Sequence, residues 1–116
     1  MQHALLSVAA QFSETPGPRR RSQGRFSAEE FLEVHLAPAF EAALADGKIL
    51  VVDLNDAAGY SAGFLEGSFG GLTRRFGHAI VKKHLLIVYR DEPYLTEDIN
   101  EYIDEAELSG PVWAKI

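Results

Sequence analysis

The chain predicts an α/β or α+β sandwich: a central, largely parallel sheet of about four strands, flanked by three main helices. Two observations carry this. Short apolar runs of strand length alternate with capped segments of helical periodicity from one end to the other. The 116 residues, 47 % of them apolar, fit a single domain spanning 1–116 with a real core, and they are too few for two.

The elements follow in order. Leu6, Val8, Ala10 and Phe12 alternate with Ser7, Ala9 and Gln11, the period-two pattern of an opening strand with one buried face. Ser13 to Gly24 holds Pro16, Gly17, Pro18 and Gly24, too many breakers for regular structure, so a loop carries the arginines there. Ser27-Ala28-Glu29-Glu30 is a capping box: the serine hydroxyl accepts from the amide three residues on, and Glu30 reaches back. The helix it opens runs to about Asp46, with Leu32, Leu36, Phe40 and Ala43 at helical spacing and Gly47 as a left-handed stop. Pro38 interrupts it. An internal proline removes a backbone hydrogen bond at a cost of about 3 kcal/mol, so a kink near Val34 to Pro38, or two shorter helices, is expected.

Ile49 to Leu54, an apolar run ending in Asp53-Leu54, reads as the second strand, a buried one. After a polar turn, Ser61 stands at a helix N-cap, and Leu65, Phe69, Leu72 and Phe76 form the stripe of a helix that stops at Gly77. Leu85 to Tyr89 is the third strand. Thr96 opens an acidic helix with Ile99, Tyr102, Ile103 and Ala106 facing inward, Gly110-Pro111 breaks it, and Val112-Trp113-Ala114 closes the chain as a last strand.

Charge narrows the function. The net charge of −6 is segregated: Arg19, Arg20, Arg21 and Arg25 crowd one loop, while eight acids lie between Asp91 and Glu107 without a Lys or Arg among them. So short a basic cluster on an acidic chain argues against nucleic acid as a partner. No apolar run approaches the roughly 18 residues of a membrane span. The first six residues lack the charged start and cleavage site of a signal peptide, and there is no cysteine, so a cytoplasmic home is expected.

The residues around 53–72 carry the candidate chemistry. Gly63, Gly67, Gly70 and Gly71 each cost about 1 kcal/mol against alanine in a helix. The first three, at i, i+4 and i+7, line one side and let another surface approach, either the chain's own sheet or a partner. Ser61 is a cap whose neighbouring amides suit a phosphate. Gly59-Tyr60-Ser61-Ala62-Gly63 also fits the Gly-x-Ser-x-Gly elbow of serine hydrolases, although a domain of this length leaves little room for the other triad members. Asp53, at the strand end, and Asp56 suit a metal, a phosphoacceptor or a plain turn. A phosphoacceptor would need a paired acid after the first strand, where only Phe12-Ser13-Glu14 stands. His3, His35, His78 and His84 show no zinc-ligand spacing, so neither a metal nor another cofactor is expected. Arg19, Arg21 and Arg25 precede a capped helix and suit an anion.

Pro16-Gly17-Pro18-Arg19, Gly24-Arg25-Phe26-Ser27-Ala28-Glu29-Glu30-Phe31, Val52-Asp53-Leu54 and Ser61-Ala62-Gly63-Phe64-Leu65-Glu66-Gly67-Ser68-Phe69-Gly70-Gly71-Leu72 together resemble the bacterial STAS-like domain of unknown function. That family is similar to the domains of anti-sigma factor antagonists and sulfate transporters. The resemblance implies a mixed sheet flanked by helices and a non-enzymatic signalling module that binds a regulatory protein, commonly a switch kinase of ATPase type, and is switched by serine phosphorylation at the helix start. Counting from Asp53, Gly63 stands at the usual acceptor position and Ser61 two residues earlier, which leaves Ser61 as the candidate acceptor. The docking surface expected from the resemblance is Tyr60, Ser61, Phe64, Glu66 and Gly67. Two alternatives stand beside it: an anion or nucleotide sensor using the Arg19 to Arg25 loop with the Ser27 helix start, and a small serine hydrolase using Ser61.

Overall fold

A computed structural model describes residues 2–108. Three parallel strands, β1 (His3–Ser7), β2 (Ile49–Asp53) and β3 (Leu85–Val88), lie in the order β1-β2-β3. The fold is therefore α/β as expected, with a sheet of three strands among the described residues. The strand expected at Val112-Trp113-Ala114 lies outside them, as does the break at Gly110-Pro111.

The register explains which face is buried. Leu6 pairs with Val52 and Val52 with Ile87, and this side packs on the helices. The opposite side presents the row Leu5, Val51 and Leu86, with Leu5 66 % and Leu86 49 % exposed. Strands taken in sequential order with right-handed crossovers send their helices to one face, which is why the two sides differ.

The opening strand is shorter than its alternating pattern suggests. β1 stops at Ser7, and α1 (Val8–Gln11) follows at once. Ser7 Oγ accepts the Ala10 amide at 3.2 Å, and Gln11 Oε1 accepts the Ser7 amide at 2.7 Å, so the two side chains close a helical turn that period-two spacing does not reveal. Val8 and Phe12 enter the core from that turn rather than from a strand.

From Ser27 the chain is helical through α2 (Ala28–Phe31), a π-turn at Leu32–Leu36 and α3 (Ala37–Ala45). The π-turn sits directly before Pro38, and the Ala37 amide reaches back five residues to Leu32. The irregularity expected near Val34 to Pro38 is thus a widened turn within a continuous helical segment rather than a division into two separate helices. A second rod follows the same plan: α4 (Ala62–Leu65), a π-turn at Glu66–Gly70 and α5 (Gly71–Phe76), ended by Gly77 at φ +95°. Beyond it, α6 (His78–His84), for which the sequence showed no clear stripe, leads straight into β3. α7 (Tyr94–Leu108) packs across the second rod, and Ile99 and Ile103 are buried there as their spacing predicts. It begins two residues before Thr96, whose hydroxyl donates to the Pro93 carbonyl at 2.6 Å.

The glycine stripe has its own explanation. A Cβ on Gly67 would lie 3.0 Å from Ala28 Cβ and 3.1 Å from Arg19 Cγ, and one on Gly71 would lie 2.6 Å from Leu32 Cδ2. The close neighbours are therefore α2 and the arginine loop, not the sheet. The π-turn shifts the stripe by one residue, so Gly63, Gly67 and Gly71 share a side, while a Cβ on Gly70 would meet Glu66 and Arg74 of its own helix.

Candidate functional site

Ser61 follows the polar turn after β2 in extended conformation (φ −75°, ψ 155°), which lets its side chain fold over the helix start. Its Oγ accepts the Phe64 amide at 3.0 Å, its carbonyl accepts the Leu65 amide at 3.1 Å, and its hydroxyl donates to the Gly17 carbonyl at 3.4 Å. Two orphan donors remain. The Ala62 and Gly63 amides have no acceptor among the described residues. Gly63 lines an open cleft with Ser61, and the arginine loop forms its other side with Pro18, Arg19, Arg20 and Gln23.

The loop is built to stay there. Gly17 donates to the Phe26 carbonyl at 2.8 Å, and a Cβ on Gly17 would lie 2.1 Å from the Arg25 carbonyl oxygen, so only glycine allows the two strands of the loop to meet. The Ala58 amide binds the Glu14 carbonyl at 2.8 Å and ties the loop to the turn before Ser61. The same loop residues close the other helix start: the Ala28 and Glu29 amides donate to the Pro18 and Arg19 carbonyls at 2.8 and 3.0 Å. Ser27 Oγ and its carbonyl take the next two, from Glu30 and Phe31. Every amide of the first turn of α2 is thereby consumed, so the Ser27 start has no donor left for an anion.

The arginines divide differently from the expectation of Arg19, Arg21 and Arg25. Arg21 is bound to Glu33 at 2.8 Å, and Arg25 does not line the cleft. Arg19 and Arg20 do, with Arg19 held at 3.4 Å from Glu66. No local pattern marks Arg20 or Gln23; their place depends on the path of the loop.

Of the expected docking residues, Ser61 is exposed, and Tyr60, Glu66 and Gly67 are partly covered. Phe64 is a correction. It is 0 % exposed, its ring 5.6 Å from Phe31 and 5.8 Å from Tyr60, and it offers nothing to a partner. Its position in the first turn of the helix, at the third residue after the cap, turns it down onto the core. Tyr60 donates its hydroxyl to the Leu54 carbonyl at 2.8 Å, and burial, with smaller contributions from Tyr89 and Asp53, raises the phenol well above the ordinary tyrosine range. It stays a neutral donor that locks the turn. Glu66 lies between two guanidinium groups, Arg19 and Arg74, the latter at 3.1 Å.

Asp53 serves the turn. Its Oδ1 accepts both the Asn55 amide at 2.9 Å and Asn55 Nδ2 at 2.8 Å, while Asn55 Oδ1 accepts the Arg90 amide at 2.9 Å and joins the ends of β2 and β3. Asn55, buried and fully engaged, was not singled out from the sequence; its only signal is its place directly after a strand-end acid. No group of three potential ligand side chains gathers for a metal among the described residues. Nor, among the described residues, does any hydrogen bond join Ser61 to a histidine: His78 is bound to Asp104 at 2.6 Å, and His35 stacks on Phe31.

Three parallel strands, helices on one face, and a serine-capped helix start exposed after the central strand define an α/β domain with a surface site rather than an enclosed one. The family model described as "STAS-like domain of unknown function (DUF4325)" matches residues 27–95, more than half of the chain, and the chain belongs to that family. No curated protein and no solved structure matches it. Among the described residues no helix is long and apolar enough to cross a membrane.

Proposed function

We propose that the chain is a non-catalytic regulatory module, cytoplasmic, that binds another protein through the start of the glycine-rich helix, with an ATPase-type switch kinase as the partner its family likeness suggests. The observation that carries this is the Ser61 start: exposed, with the Ala62 and Gly63 amides unsatisfied among the described residues and the arginine loop beside it. A partner's carbonyl or carboxylate would complete those donors. Capture from the native host tests it. Ser61→Glu should release the partner, and a partner retained unchanged by that variant contradicts the surface.

Ser61 is also the proposed phosphorylation site. A phosphoryl group on Oγ would lie at the positive helix end next to Arg19 and Arg20, where its charge is stabilised. Intact-mass measurement after incubation with the candidate kinase should show one added phosphate that Ser61→Ala abolishes; no adduct on the wild type counts against it.

The free amides favour a second reading, an anion or nucleotide held in the same cleft by Arg19 and Arg20. Calorimetry with a nucleotide panel should then give heat that Arg19→Ala and Arg20→Ala remove, and no heat with the wild type removes this reading. The hydrolase reading has the least support, since the hydroxyl of Ser61 is directed to a carbonyl and an amide rather than to a base. Labelling of Ser61 by a serine-directed probe would restore it.

A further inference from the structure

A second feature lies around the corner from Ser61, where α2 and its π-turn run beside the second rod. An open groove there has Leu32 at its floor and four arginines on its walls, Arg19, Arg20, Arg74 and Arg75. Its three acids are already engaged. Glu66 takes Arg19 and Arg74, Glu33 takes Arg21, and Glu29 Oε1 accepts the Arg21 amide at 3.0 Å. Arg20 and Arg75 face the groove with no carboxylate within ion-pair distance among the described residues.

We infer that this groove receives an acidic segment of the partner protein, with carboxylates pairing with Arg20 and Arg75. The inference rests on the protein-binding function proposed above and supplies the partner's chemistry. Charge complementarity selects the occupant. Each exposed pair is worth at most about 1 kcal/mol, so a single small anion gains little here, whereas a segment with several spaced carboxylates sums such gains. A nucleic acid would carry its run of phosphates beyond the groove onto the rest of a chain of net charge −6, which a short acidic segment confined to the groove does not meet. Glu66 acts as an internal stand-in, a carboxylate already occupying two of the four arginines.

The test is fluorescence anisotropy at low salt with a fluorescein-labelled peptide of repeated Glu-Glu-Leu-Ala units. The wild type should bind it, with affinity falling as salt is raised. The Arg20→Ala/Arg75→Ala double variant should bind about tenfold more weakly, the sum of two exposed ion pairs. Arg25→Ala, outside the groove, should not differ from the wild type. Glu66→Gln should bind more tightly, because it releases Arg19 and Arg74; loss of fold cannot mimic that gain. No anisotropy rise with the wild type, equal affinity in the double variant, or displacement of the peptide by inorganic phosphate or polyuridylate at equal charge concentration would each overturn the inference. Partner capture that depends on Ser61 but not on Arg20 and Arg75 would sink the groove alone and leave the Ser61 surface standing.

Discussion

Two helix starts in this molecule share one chemistry and differ in everything around it. Ser27 and Ser61 each fold an Oγ back to the amide three residues on, at 3.1 and 3.0 Å. Ser27 is 0 % exposed, and the carbonyls of Pro18 and Arg19 close the donors beyond it. Ser61 is exposed and leaves two donors open. The same loop produces both results: the Pro18 and Arg19 carbonyls plug the first start, and these residues with Arg20 and Gln23 wall the second without accepting from the amides of Ala62 and Gly63. A serine cap thus marks a helix N-terminus, and only the neighbouring chain decides whether that terminus is structural or available.

Substitutions can break this contrast in graded steps. Phe64→Ala, beneath the Ser61 start, empties a fully buried aromatic site and should cost about 3–5 kcal/mol in urea unfolding. A loss well below 1 kcal/mol would mean that Phe64 is not the buried anchor described. Ser27→Ala removes a buried cap and should cost about 1–2 kcal/mol, whereas Ser61→Ala, its exposed counterpart, should cost about 0.5–1 kcal/mol. Equal losses at the two serines would erase the distinction. The smallest effect lies far from both starts. His78 and Lys82 of α6 hold Asp104 of α7, the His78 hydrogen bond foremost, and lower its carboxyl below the ordinary range. A depressed carboxylate stabilises the fold above its unfolded pKa of about 3.9 and loses that contribution as pH falls through the still lower folded value. The stability difference between wild type and Asp104→Asn should hold near neutral pH and vanish in strong acid; a difference independent of pH contradicts the clamp.

The sequence disclosed what local chemistry controls. Ser27 with Glu30 marked α2, Ser61 and Gly77 bounded the second rod, and the apolar runs at Ile49 and Leu85 marked β2 and β3. It misled where one pattern suits two structures, as at Val8 to Phe12, where strand-like alternation covers a turn closed by Ser7 and Gln11. α6 left little trace because Val81 is its one buried residue. The site was only half legible. Ser61 could be placed at a helix start, but the wall opposite depends on contacts between Gly17 and Phe26 and between Glu14 and Ala58, distant pairings with no local signature. Pro38 and the glycines signalled irregularity, and the π-turns that resolve it became visible only in three dimensions.

Amide hydrogen exchange, read residue by residue by NMR, tests the contrast most directly. The Ala28 and Glu29 amides should exchange slowly, protected with the core, while those of Ala62 and Gly63 exchange near the rate of an open chain. Protection of Ala62 and Gly63 equal to that of Ala28 and Glu29 would contradict the account, because the Ser61 start would then be as closed as the Ser27 start.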